Sequence, residues 1–411
     1  MAWALRTAGH EVRVAAPPEL TATITGTGLT AVPIGVPGWD DDGDPQAAAM
    51  SCELTAAGGS EYVQNFDWRA QETWNGESLL ALESISVPGF QDSMNNPPMI
   101  DSLVEFARHW RPDLIIRETF TWAGGIAARI VGAADARLVS SLDLVLQTRQ
   151  EFHRHNAALS FHQRDDPTAE WLDRTLRRYG HRYDEEVLTG HWTISPTAPS
   201  TRSDVGPRTV GVRYVPFNGP AVVPDWLHGR PEHRRICVTG GLSARELGRP
   251  LFSMSDVLTA MSDLDAEVVV TVSAEEREHL GEVPANARVV DFVPFQDLLP
   301  TCSVVVHHGG GGTRATAELH GVPQVIAAFG WDTLVRAELL QELGAGLFVR
   351  MEDATPAVLR RLVDRALTEP EMASAAQRLR DELLAEPTPN DLVPLLERLT
   401  REYRTRTVGT E

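Results

Sequence analysis

From Val304 to Ile326 the chain reads VVVHHGGGGTRATAELHGVPQVI, and few folds can hold those residues in that order. Three valines predict a strand buried on both faces, and the glycines turn the chain with no side chain in the way. The stretch after them predicts a helix with Thr313 as its N-cap, ended by Gly321 and Pro323. A strand, a bare turn and a helix N-terminus in succession make an anion site, because unpaired amide donors and the helix dipole point the same way. The expected ligand is a phosphate or diphosphate. His307 and His308, just before the turn, add side chains that can donate hydrogen bonds to it.

The stretch sits fourth in an alternation of strand and helix. ICVT, EVVVTV and RVVDFV precede it as strands, so a parallel sheet covered by helices is expected. An earlier alternation runs through the helix MIDSLVEFARHW, the strand DLII, the helical TWAGGIAARIVG and the strand RLVSS. The proline-dense segment before ICVT reads as a linker. The expected division is an N-terminal lobe over 1–218, a linker over 219–235, a C-terminal lobe over 236–385, and a helix over 386–411 packing back on the first lobe. Two such lobes usually bind ligand in the cleft between them.

The chain opens on AWALRTA, a helix with no capping residue and no strand before it, with Gly9 at its end and a strand over Glu11 to Ala15. The strand that normally opens a parallel unit, with its ligand-binding loop, is expected before Met1. Between Pro37 and Pro98 the rhythm lapses. Trp39, Tyr62, Phe66, Trp68 and Trp74 there read either as a local core or as an apolar lid over a ring-shaped acceptor. His153, His155 and His162 do not share one helical face, which argues against a metal site.

Composition excludes several functions. A formal charge of −20 opposes binding to nucleic acid or an anionic membrane. The 37 cationic residues are all arginines, with no lysine in the chain. A Walker-type phosphate loop and a Schiff-base nucleophile are therefore ruled out. Cys52, Cys237 and Cys302 are too few and too far apart for a disulfide framework or a zinc site, which points to the reducing cytoplasm. No apolar run reaches the ~18 residues of a membrane span.

A competitor remains. Gly310, Gly312 and Ala315 satisfy G-x-G-x-x-A, and Asp332 follows at about the distance of a ribose-binding acid, so an NAD-dependent oxidoreductase is an alternative. Against it, that fingerprint usually follows the first strand of its domain, and Asp332 reads as a loop residue past the strand QVIAA.

HHGGGGTRATAELHGVPQVI, with VPFQDLLPTC before it and GWDTLVRA after it, resembles the donor-binding signature of the family 1 glycosyltransferases, which have the GT-B fold of two Rossmann-like lobes. LVEFARHWRPDLII, DDPTAEWLDRTLRRYG and VRYVPFNGPAVVPDWLHGRPEHRRICVT are similar to the activator-dependent branch that decorates macrolides and anthracyclines in actinomycetes. The resemblance implies an inverting transfer of a deoxysugar from a dTDP-sugar to a hydroxyl of a polyketide-type product, with no cofactor or metal.

By the same resemblance His308 contacts the donor diphosphate and stabilises the leaving group. The backbone of Gly310, Gly311 and Gly312 and the hydroxyl of Thr313 complete the cradle, and Ser243 adds a second phosphate contact. Val293 and Phe295 hold the base, while Asp332 holds sugar hydroxyls beside Thr333, where the wider family has glutamine. The base histidine is implied upstream of Met1, and His10 does not replace it because AGHEV merely leads into the second strand. A cytochrome-like activator protein and a homodimer are further expected partners. A donor-binding homologue without its base stands as a second alternative to the active enzyme.

Overall fold

The computed structural model describes residues 1–37, 66–68, 70–140, 142–203, 205–229, 231–241, 253–329 and 331–405. They group into two compact units. The first comprises Met1–Pro196, Ser203–Val212 and the chain from Pro387, and the second comprises Thr197–Arg202 and Arg213–Glu386.

In the first unit, strands β1 (Val14–Ala16) and β2 (Ala31–Pro33) pair in parallel. A second parallel sheet has the order β3 (Leu114–Glu118), β4 (Ala134–Leu138), β5 (Trp192–Ser195) and β6 (Thr209–Gly211). Helix α1 (Ala2–Thr7) leads into β1, which starts at Val14 rather than at the expected Glu11. Helix α2 (Pro97–Trp110) begins where the Asn96 side chain accepts the Met99 amide at 3.0 Å, and it buries Ile100, Leu103, Val104 and Ala107. Those residues pack against Ala123, Ile126 and Ala127 of helix α3 (Trp122–Val131).

Strand β4 is ADARL, displaced from the expected RLVSS, because its two charged residues are buried as pairs. Arg117 of β3 grips Asp135 through Nε–Oδ1 and Nη2–Oδ2 contacts, each 3.0 Å. Arg137 donates to Asp143 at 2.9 Å. Paired in this way, a charged residue can occupy a central strand that propensity alone would deny it. The C-terminal helix Pro389–Tyr403 belongs to the same unit and packs Leu392, Leu396 and Leu399 on Ala134, Ala136, Trp192 and Ile194.

Of the five aromatics in the inserted segment, Trp39 and Tyr62 lie outside the described residues. Phe66, Trp68 and Trp74 support the local-core reading. Ring centroids of Phe66 and Trp68 are 4.9 Å apart, and Trp74 is buried with Leu79 and Phe152.

The second unit holds six strands, all parallel: β7 (Arg234–Thr239), β8 (Ala266–Thr271), β9 (Ala287–Val290), β10 (Val304–His307), β11 (Gln324–Ala328) and β12 (Gly346–Arg350). Their spatial order is β12-β11-β10-β7-β8-β9. Each central strand feeds two cores in alternation. Ile236, Val238, Val304, Val306, Val325 and Ala327 point to one face, while Cys237 and Val305 point to the other. Burial on both sides is why these strands are near-continuous valine and isoleucine.

Candidate active site

The strand order places β7 and β10, the first and fourth strands of this unit, side by side, with the chain progressing outward from each. Ligands of open parallel sheets bind beyond the carboxyl ends of the strands at that switch point. Two glycine-bearing turns meet there, Gly241 after β7 and Gly309–Gly310 after β10.

His307 is fully buried and uses both ring nitrogens. Nδ1 accepts the Gly309 amide at 3.0 Å, so Nε2 carries the proton and donates to Gln324 Oε1 at 2.9 Å. Burial lowers its pKa to about 3. It is thus a neutral residue that fixes the first glycine of the turn, and no ring nitrogen is left for a ligand. Gly309 has φ 89°, and a Cβ there would stand 3.2 Å from Ile326 and from Thr333, which fits glycine alone.

His308 is held differently. Its ring lies between two bare backbones. A Cβ on Gly241 would come within 2.7 Å of Nδ1, and one on Gly310 within 2.5 Å of Nε2. Gly241 (φ 80°) is set in turn by the strand-end hydroxyls, its amide donating to Thr239 Oγ1 at 3.2 Å while Thr271 bonds Thr239 at 2.8 Å. His308 is 9% exposed, and its Nδ1 is buried without a hydrogen-bond partner among the described residues. Burial, then the nearby Arg336 charge, lowers its pKa, so it offers a neutral N–H donor.

Helix α4 (Gly311–His320) starts three residues earlier than expected. Its N-cap is Gly310, which makes no side-chain cap, and Thr313 is the third helical residue, a correction to its expected place as N-cap. Gly310 accepts the first intrahelical bond, from Arg314 at 3.0 Å. The amides of Gly311, Gly312 and Thr313 are the orphan donors of an uncapped helix end. The half-buried Thr313 hydroxyl makes no hydrogen bond among the described residues. One turn on, Arg314 and Glu318 form a buried pair at 2.5 Å.

Asp332 lies in the first turn of helix α5 (Trp331–Glu342), which corrects the expectation of a loop residue. Its carboxylate pairs with Arg336 at 2.5 Å. Thr333 packs against Gly309 and gives its hydroxyl to the Phe329 carbonyl. Val293 is buried among Cys237 and Val305, so only its main chain is placed to address a base. Phe295 is partly buried on the same cluster, and its neighbour Phe292 is 53% exposed. Ser243 lies outside the described residues.

The site therefore assembles His308, Gly310 to Thr313, Asp332 and Thr333, and it adds Gly241, Gly309 and Arg336, which sequence reasoning did not single out. Gly241 left only a weak signal as one of a glycine pair, and Gly309 as the first of a run of four glycines. Arg336 left one as the residue four places after an acid. In the first unit, Glu118 closes strand β3. Its carboxylate accepts the Phe120 amide at 2.7 Å, and loss of surrounding water raises its pKa although the residue is solvent-accessible.

These features define a parallel α/β unit whose fourth strand runs into a glycine turn and an uncapped helix N-terminus, an arrangement suited to an anionic ligand. A dinucleotide fingerprint would follow the first strand, and its acid would end a strand rather than start a helix under an arginine, so the NAD reading fails. The chain matches the models described as Erythromycin biosynthesis protein CIII-like, N-terminal domain, over residues 3–241, and C-terminal domain, over residues 255–399; it belongs to that family. It is a glycosyltransferase of GT-B fold.

Among its relatives, the 10-deoxymethynolide desosaminyltransferase of Streptomyces venezuelae is 46% identical over 405 residues, covering 98% of this chain and 94% of that one. The aclacinomycin-T 2-deoxy-L-fucose transferase of Streptomyces galilaeus is 44% identical over 419 residues, covering 98% and 93%. The crystal structure of the glycosyltransferase VinC in complex with dTDP superposes with a TM-score of 0.84 at 36% identity, covering 98% of this chain and 95% of that one.

Among the described residues, no group of three or more His, Cys, Asp or Glu is placed to hold a metal, and no helix is long and apolar enough to cross a membrane.

Proposed function

We propose that this chain transfers a deoxysugar from a dTDP-sugar to a hydroxyl of a polyketide-type acceptor, with inversion at the anomeric carbon. The observation that carries this reading is the uncapped start of α4 beside the partnerless His308. Together they supply fixed N–H donors where an anion must be stabilised. The relatives named above transfer desosamine and 2-deoxy-L-fucose, which supports a deoxysugar donor.

In the proposed reaction the acceptor oxygen attacks the anomeric carbon and forms the new glycosidic bond. The bond from that carbon to the β-phosphate oxygen breaks, and dTDP leaves with the electron pair. The orphan amides of Gly311 to Thr313, the Thr313 hydroxyl and the His308 N–H meet the charge that develops on the departing phosphate. They are set before the reaction begins, so no reorganisation is needed at the transition state.

The acceptor's proton passes to a base.

The whole reading is tested by offering dTDP-deoxysugars and a macrolide or anthracycline aglycone to the purified chain. It fails if dTDP does not bind and no glycoside forms. The family branch adds a cytochrome-like activator as partner, and a full rate from the chain alone would dismiss that partner.

A further inference from the structure

We infer that Arg336 is the positioning residue for the sugar end of this site, fixing the one carboxylate oxygen that Asp332 keeps for the donor. The inference rests on the proposed deoxysugar transfer and on the family resemblance, by which Asp332 holds sugar hydroxyls.

The guanidinium holds Asp332 at two points. Its Nη2 pairs with Oδ2 at 2.5 Å and its Nε donates to the Asp332 carbonyl at 3.2 Å. Both atoms belong to one planar fork, so the side chain and the backbone it springs from are held in a single orientation. Spacing of four residues on α5 puts the two on one face, and the start of the helix favours the anion.

Exposure separates their roles. The Arg336 side chain is 8% exposed and that of Asp332 is 19%, so the carboxylate is the partner that reaches the surface. Oδ2 is occupied, and Oδ1 has no partner among the described residues, which leaves it for a sugar hydroxyl. The charges around them are already matched. Arg314 is taken by Glu318, so it does not compete for Asp332. On the other side, Thr333 is locked by the Phe329 carbonyl and by its packing on Gly309. Asp332 therefore sits beside the phosphate turn with one rotamer and one free acceptor. A buried guanidinium is costly to keep where an apolar side chain would pack, and this placement gives it a task.

The test compares dTDP with dTDP-6-deoxy-D-glucose as ligands for the wild-type chain, Arg336→Gln, Arg336→Lys, Asp332→Asn and the Asp332→Asn/Arg336→Gln double variant. Binding of dTDP, which lacks the sugar, should stay within about twofold in all of them and so reports an intact fold. Affinity for the sugar nucleotide should drop about tenfold in Arg336→Gln and similarly in Asp332→Asn. The double variant should be no weaker than either single one, because both act through one contact. Arg336→Lys should recover part of the loss.

Equal weakening of both ligands in Arg336→Gln and Arg336→Lys would mark a purely structural residue and overturn the inference, as would losses that add in the double variant. A loss in Asp332→Asn with none in Arg336→Gln overturns the inference alone. No loss in Asp332→Asn overturns the donor-sugar reading of Asp332 as well.

Discussion

The imidazole of His308 lies against the backbone of Gly241, a residue 67 positions earlier just after the neighbouring strand, with no room for a methyl group between them. Strand order alone creates this contact, since β7 and β10 are adjacent in the sheet. Gly241→Ala should push the ring off its present rotamer and weaken dTDP binding about tenfold to a hundredfold. Calorimetric titration with dTDP checks it, and wild-type affinity would mean that the ring has room to move.

His308→Ala should lower dTDP affinity by a similar factor and kcat by more, because the donor matters most when the phosphate departs. Thr313→Val, which removes one hydroxyl and keeps the shape, should cost less, about threefold to tenfold. Steady-state kinetics on the three proteins order these effects. Equal losses in KM and none in kcat would show that the cradle only binds.

Acid should loosen the glycine turn. His307 has its pKa lowered by burial to about 3 in the folded chain, against an ordinary value of 6.5. The unfolded chain therefore binds the extra proton between those limits. The contribution is complete above about pH 6.5 and shrinks as pH falls towards 3, by up to about 1.4 kcal/mol per pH unit. Protonating Nδ1 also displaces the Gly309 amide. Denaturant unfolding at pH 7.5, 6 and 5 should show a shallower decline for His307→Gln than for wild type. Parallel declines would mean that His307 is not the group that titrates.

In the first unit, Asp135→Ala leaves Arg117 buried without its bidentate partner and should cost about 3–5 kcal/mol. Arg117 also donates to the carbonyls of Val187 and Leu188, at 3.0 Å and 2.9 Å, so the loss should extend to the start of β5. Thermal unfolding measures the first effect, and hydrogen exchange at Val187 to Ile194 measures the second. A change below about 1 kcal/mol would show that water replaces the carboxylate.

Much of the second unit was legible in the chain. Valine runs, a glycine turn and a helix-period stretch follow from local rules, and their order placed the anion site on the fourth strand. The same local rules put the start of α4 at Thr313. A threonine is the better cap in isolation, yet here Gly310 takes that place, and its lack of a side chain is what leaves the amides free. Strand β4 was misplaced because periodicity counts Asp135 and Arg137 as surface residues and cannot register that each has a buried partner.

The sequence by itself determined the alternation, the parallel sheets and a bare-backbone turn leading into a helix, because each depends on neighbours within about ten residues. Only the tertiary structure decided which groups meet there. Gly241 reaches His308, Gly309 touches Thr333, and His307 finds Gln324 through strand order and register, which bring distant positions to one edge. No property of those residues taken singly encodes that proximity.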